Sequence, residues 1–166
     1  MRCADLVTSS CVPHSRLSKS LEAAVGYFEL GMADETLREL DALPPESQCD
    51  LDVLELRSVA CQQLGRWASA AAAYEAMCRL PCADTDRFIG WGCCLYELGA
   101  YADCRLALLS APPEAREHGL WNFHLACYEA LLGNPCEAKR LIRKSLQLDP
   151  ALRRMAERNE NLAPLL

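Results

Sequence analysis

Apolar residues along the chain fall into eight clusters with the i, i+3, i+4 spacing of helices that bury one face, and short polar or Gly/Pro breaks separate the clusters. Leu21, Ala24, Val25, Tyr27 and Phe28 form the first, ended by Gly31, and Thr36, Leu37, Leu40 and Leu43 the second, ended by Pro44-Pro45. Leu54, Leu56, Val59 and Cys61 precede Ala70, Ala73, Tyr74 and Met77. Phe88, Trp91, Cys94 and Leu95 precede Cys104, Ala107, Leu108 and Ala111. Trp121, Leu125 and Tyr128 precede Ala138, Leu141, Ile142 and Leu146. The clusters pair because a Leu-Gly dipeptide closes the first helix of each couple: Leu30-Gly31, Leu64-Gly65, Leu98-Gly99 and Leu132-Gly133 recur at a constant spacing of 34 residues. Glycine suits a helix end because it takes positive φ without a Cβ clash.

The period divides the chain into four helical hairpins over residues 17–50, 51–84, 85–118 and 119–150. Each is too small to bury both of its faces, so stability is expected from stacking on neighbours. Residues 1–16 lack a clean period and read as a flexible leader or weak N-terminal cap. Residues 151–166 read as an amphipathic capping helix, with Leu152, Met155 and Ala156 on its apolar stripe, and a loose tail from Leu162. A longer period lies over the first. Pro44-Pro45-Glu46 returns as Pro112-Pro113-Glu114 and Glu29-Leu30-Gly31 as Glu97-Leu98-Gly99, both after 68 residues. The second helices of hairpins one and three should therefore be shorter than those of two and four.

The pattern resembles the tetratricopeptide repeat family, whose period is 34 residues. A small residue stands seven before each Gly (Ala24, Ser58, Gly92, Ala126) and another five after it (Thr36, Ala70, Cys104, Ala138). A large apolar residue stands nine after it, as Leu40, Tyr74, Leu108 and Ile142. The aromatic two after the Gly is met by Trp67 and Tyr101 but not by Ala33 or Pro135, and the closing proline appears only as Pro150. The resemblance implies an all-α, right-handed solenoid of four hairpins with a C-terminal capping helix, working as a protein-interaction module.

With 166 residues, 51% hydrophobic and 24% charged, the chain can bury a core. A net charge of −6 argues against nucleic acid and membrane surfaces as partners. The acidic excess is uneven: 7 Lys and Arg against 15 Asp and Glu over residues 17–110, but 8 against 7 over residues 111–166. Eleven cysteines stand mostly inside helical patterns, and Cys61, Cys93, Cys94, Cys104 and Cys127 read as small packed thiols, which places the protein in a reducing cytoplasm.

No residues combine into a catalytic set, and no cofactor or phosphate loop is indicated. Cys78, Cys82, His118, His124 and Cys127 are the ligand-type residues, but no paired knuckle spacing organises them and packed thiols are the expectation. In the family the first helices line an inner groove, and the resemblance places there Leu21, Val25, Phe28 and Glu29, then Asp52, Glu55, Val59 and Gln62, then Asp86, Ile89, Cys93 and Tyr96, then Leu120, Phe123, Cys127 and Leu131. That groove would be apolar at both ends and acidic in the middle. It lacks the basic residues of a carboxylate clamp, showing Leu21, Val25, Glu55, Asp86 and Gly90 instead.

The expected partner is therefore another protein, offering an apolar helical or extended segment. The first helix of hairpin four is apolar on two stripes, and the one carrying Leu120, Phe123, Cys127 and Leu131 must be covered by a partner, by the termini, or by a second copy in a homodimer. Lys139, Arg140, Arg143 and Lys144, with Arg153 and Arg154 beyond, form a basic patch that reads as a solvated face or a dock for an acidic protein surface. Two narrower roles are also open, each by resemblance: a chaperone of a bacterial secretion system holding a client peptide, and an adaptor of a cytoskeletal polymer similar to kinesin-light-chain-like proteins, using the basic patch.

Overall fold

The structure, a computed structural model, describes residues 14–166 except Cys82, with the side chains of residues 14–18 and 20 also outside the description. The leader and Cys82 therefore lie wholly or largely outside the described residues. Those described form helices α1 (His14–Glu29), α2 (Ala33–Asp41), α3 (Leu51–Gln63), α4 (Trp67–Cys78), α5 (Thr85–Glu97), α6 (Tyr101–Leu109), α7 (Gly119–Leu131), α8 (Pro135–Leu148) and α9 (Arg153–Arg158), with no strand among them. The chain divides into two compact units, the first ending at Met77 and the second starting at Cys78, so each holds two hairpins and one copy of the 68-residue period.

All four hairpins turn in the same way. Gly31, Gly65, Gly99 and Gly133 have φ of 74°, 66°, 72° and 80°, a left-handed conformation. Around Gly65, its N–H donates to the Gln62 carbonyl (3.0 Å) and the Arg66 N–H to the Cys61 carbonyl (2.8 Å), and equivalent pairs surround the other three glycines. These are Schellman caps, which satisfy carbonyls the helix end would leave bare. The leucine of the dipeptide is not core: Leu30, Leu98 and Leu132 are exposed.

The small residues allow the two helices of a hairpin to close. Ala24, Ser58, Gly92 and Ala126, and their counterparts Thr36, Ala70, Cys104 and Ala138, are all buried. In hairpin one the Thr36 hydroxyl donates across to the Ala24 carbonyl at 3.3 Å. At Gly92 a Cβ would lie 3.2 Å from the Tyr128 hydroxyl, so the absent side chain makes room for that ring.

As expected, α2 and α6 are short, 9 residues each, against 12 in α4 and 14 in α8. Pro45 and Pro113 each open a 3-10 turn, Pro45–Ser47 and Pro113–Glu117, because proline starts a helix well and cannot continue one. Behind the first turn, Gln48 Nε2 donates to the Leu40 (2.8 Å) and Leu43 (3.0 Å) carbonyls at the end of α2, and Arg57 holds Gln48 Oε1 at 2.7 Å.

The C-terminal stretch departs from expectation. Its helix spans only Arg153–Arg158, after a 3-10 turn at Pro150–Leu152, and the residues beyond are not a loose tail. Asn159 Oδ1 accepts from the N–H groups of Asn161 (3.0 Å) and Leu162 (3.2 Å), which ends α9 and turns the chain back. Leu162 is fully buried and joins the core of the second unit with Phe123, Cys127, Leu141 and Ile142. Burying one leucine contributes roughly 1.5–3 kcal/mol.

The thiols Cys61, Cys94, Cys104 and Cys127 are free and buried and Cys93 is free and half-buried, whereas Cys49 is disulfide-bonded, an exception to the expectation of reduced thiols. Among the described residues no helix is long and apolar enough to cross a membrane.

The glycine turns carry a test. Gly65→Ala forces an L-residue to positive φ and should lower stability by about 1–2 kcal/mol, whereas Gly26→Ala, mid-helix with nothing within 4 Å of the added methyl, should raise it by up to about 1 kcal/mol. Urea unfolding midpoints check both signs.

Candidate functional site

Successive first helices present the same register, six residues before each glycine, as Val25, Val59, Cys93 and Cys127. Their exposure falls along the chain: Val25 is 40% exposed and Val59 38%, Cys93 is half-buried and Cys127 is 6% exposed. The expected groove residues thus divide by unit.

In the first unit, Leu21, Val25 and Glu29 line a shallow pocket with Glu22 and Gly26, and Phe28 is half-buried outside that lining. On α3, Asp52, Glu55 and Val59 are exposed, while Gln62 Nε2 reaches across to the Tyr74 hydroxyl at 3.2 Å. The face combines uncovered branched carbons with carboxylates.

In the second unit three expected groove residues are core. Ile89, Phe123 and Cys127 are buried in the cluster built around Trp121, Tyr128 and Leu162, and Leu120 and Leu131 are half-buried. This corrects the expectation of a free apolar stripe on α7. The physical reason is the returning C-terminal segment: Leu162 fills the space against that stripe and Asn159 Nδ2 donates to Cys127 Sγ at 3.5 Å. The stripe on which a homodimer was expected is occupied from within the chain.

What stays open is a pocket of about 210 Å³ between α5, α7 and the C-terminal segment, walled by Tyr96, Phe123, His124, Tyr128 and Leu131, with Glu97, Asn159 and Asn161 also lining it. Tyr96 is 40% exposed, and its ring stacks on Tyr128 at 6.3 Å between centroids and leans on Tyr101 at 5.5 Å. Asp86 is exposed, with its carboxylate 3.8 Å from His118 Nε2.

Cys93 Sγ lies 3.8 Å from His124 Nδ1. Burial lowers His124 from 6.5 to about 4 and raises Cys93, and raises Cys127 to about 12. Both partners are therefore neutral near pH 7. An activated cysteine needs the reverse, a thiolate stabilised by an imidazolium, so the pair packs and hydrogen-bonds rather than attacks. The ligand-type residues do not converge either: His118 faces Asp86 while His124 faces Cys93, and among the described residues no three such side chains gather on one point.

Pattern reasoning missed Asn159 and Asn161, which sit in a stretch without helical period. It also missed Glu129, whose buried carboxylate accepts from Arg105 Nε (2.5 Å) and Asn134 Nδ2 (2.7 Å). Only the three-dimensional pairing reveals that network, since a Glu near a helix end reads as surface.

Four hairpins with Gly-capped first helices, small residues at the crossings and a fold-back at the end define a tetratricopeptide-type fold. Solved structures of such repeat proteins are similar to this chain. MamA, from residue 41 to its end, from Desulfovibrio magneticus RS-1 superposes with a TM-score of 0.69 at 16% identity, covering 89% of this chain and 88% of that one. PilF of Pseudomonas aeruginosa gives 0.68 at 20% identity, over 90% of this chain and 67% of that one. PcrH, solved in complex with the chaperone-binding region of PopB, gives 0.58 at 22% identity, over 75% of this chain and 98% of that one. No family model matches the sequence, and no curated protein is significantly similar to it.

Two outcomes follow from the burial. Because the unfolded chain protonates His124 near pH 6.5 and the folded chain only near pH 4, stability should be complete above pH 6.5 and fall by about 1.4 kcal/mol per pH unit as pH drops through that window. His124→Gln should flatten that slope between pH 6.5 and 5 in thermal melts. Removing residues 159–166 should make Cys127 reactive toward a thiol reagent, read by peptide mass spectrometry, with helicity retained; an inert Cys127 in the shortened chain would show that Leu162 is not its cover.

Proposed function

We propose that the chain is a non-catalytic protein-interaction module that holds an apolar partner segment, helical or extended, on the open faces of its first helices. The observation that carries this reading is the uncovered apolar set Val25, Val59 and Tyr96 on three successive first helices, each left 38–40% exposed beside carboxylates. Soluble domains usually cover such residues, and a run of them in equivalent places marks a contact surface. Glu29, Asp52, Glu55, Asp86 and Glu97 flank the run, so basic residues beside the apolar ones would suit the partner.

The neutral Cys93 and His124 support a role without chemistry on the partner. One similar structure, PcrH, is solved with a segment of another protein, which agrees with a protein partner here. Cytoplasmic residence fits the buried free thiols.

Affinity capture from native lysate tests the proposal. Val59→Asp and Tyr96→Ala should each weaken the specific capture roughly tenfold, the effect of losing an interface anchor. Leu106→Asp, an exposed position on the second helix α6, should leave it unchanged. Retention with both groove variants, or equal loss with Leu106→Asp, would dismiss the reading.

A further inference from the structure

The outer face of α8 carries a second groove that the interaction surface above does not use. It encloses about 680 Å³ and is lined by Lys139, Arg140, Arg143 and Lys144, with Cys136 and the exposed Leu148 among its apolar walls. The four cations are not equivalent. Arg140 is committed to Glu137, its Nε and Nη2 donating to the two carboxylate oxygens at 2.8 and 2.6 Å. Lys144 donates to Glu117 at 2.7 Å from the turn before α7. Lys139 and Arg143 have no carboxylate partner among the described residues. Arg153 and Arg154 are outside the lining, and Arg153 leans on Glu157 at 3.9 Å.

Lys139 and Arg143 are one helical turn apart, which puts their side chains side by side, about 5–6 Å between Cβ atoms. Two unneutralised cations held together in a chain of net charge −6 are complementary to two carboxylates at the same spacing. Polynucleotides fit poorly. A phosphate backbone is held firmly only through roughly 6–10 contacts, and this groove has two free cations. The apolar edges also favour a ligand that carries carbon beside its charge.

We propose that the α8 groove binds an acidic protein segment, with two carboxylates one helical turn apart on Lys139 and Arg143 and an apolar side chain against Leu148. Glu117 then acts as an internal competitor, since it holds Lys144 out of the cation pair. The site is separate from the first-helix surface, and a partner could engage either alone.

Fluorescence anisotropy on the full chain, with a fluorescein-labelled peptide of repeated Glu-Leu-Glu-Glu units as probe, tests the proposal. Lys139→Glu combined with Arg143→Glu should weaken binding roughly tenfold or more and flatten its salt dependence. Arg140→Gln should change it little, and Glu117→Gln should tighten it by freeing Lys144. Val59→Asp should have no effect, so failure of the first-helix surface and failure of this groove are distinguishable. Probe binding indifferent to the double reversal, weakening by Glu117→Gln, or a single-stranded oligonucleotide of equal charge displacing the probe more effectively would overturn the proposal.

Discussion

A left-handed glycine at the end of each first helix is the constraint from which the remaining geometry follows. The positive φ at Gly31, Gly65, Gly99 and Gly133 closes a Schellman cap and sends the chain back along the helix it has just left. A return at that angle brings two backbones into contact. Only small side chains fit at the crossing, and Ala24 against Thr36 or Ala126 against Ala138 supply them. A bulky residue there would hold the helices apart and leave the larger side chains, Leu40, Leu108 and Ile142, without a surface to fill.

The paired prolines act on a longer scale. By ending α2 and α6 after 9 residues, they shorten every other second helix and insert a 3-10 turn whose side chains, Gln48 in one unit and Asn122 beside the other turn, take up carbonyls left bare. Asn122 Nδ2 donates to the Arg116 carbonyl at 2.8 Å and to the His118 carbonyl at 2.9 Å, so a buried amide locks the entry to α7. Each compact unit contains one such turn, which is why the 68-residue repeat and the division of the chain at Met77 agree.

Burial decides the chemistry as well as the packing. Cys93, His124 and Cys127 would be ligand-type or nucleophilic residues in water, but desolvation penalises their charged forms and leaves thiol and imidazole neutral. Glu129 shows the opposite solution. It is equally buried, and its two oxygens are met by Arg105 and Asn134, which ties the α7–α8 turn to α6.

The eight repeat helices, their order and their glycine turns were legible in the residues alone, because a period of 34 and a small residue at each crossing are local statements that backbone sterics enforce wherever they occur. The same residues misled on Leu-Gly itself: the leucine that makes the pattern visible is largely exposed, and the glycine carries the conformation. Which first-helix faces stay open was not legible. Val25 and Cys127 occupy the same register, yet one is exposed and the other sealed, because Asn159 turns the last eight residues back and sets Leu162 against α7. Likewise four basic residues in a row look alike as letters, and only the positions of Glu117 and Glu137 separate the neutralised pair from Lys139 and Arg143. Periodicity records what each hairpin needs from itself; burial and pairing depend on contacts between segments distant in the chain, and those exist only once it has folded.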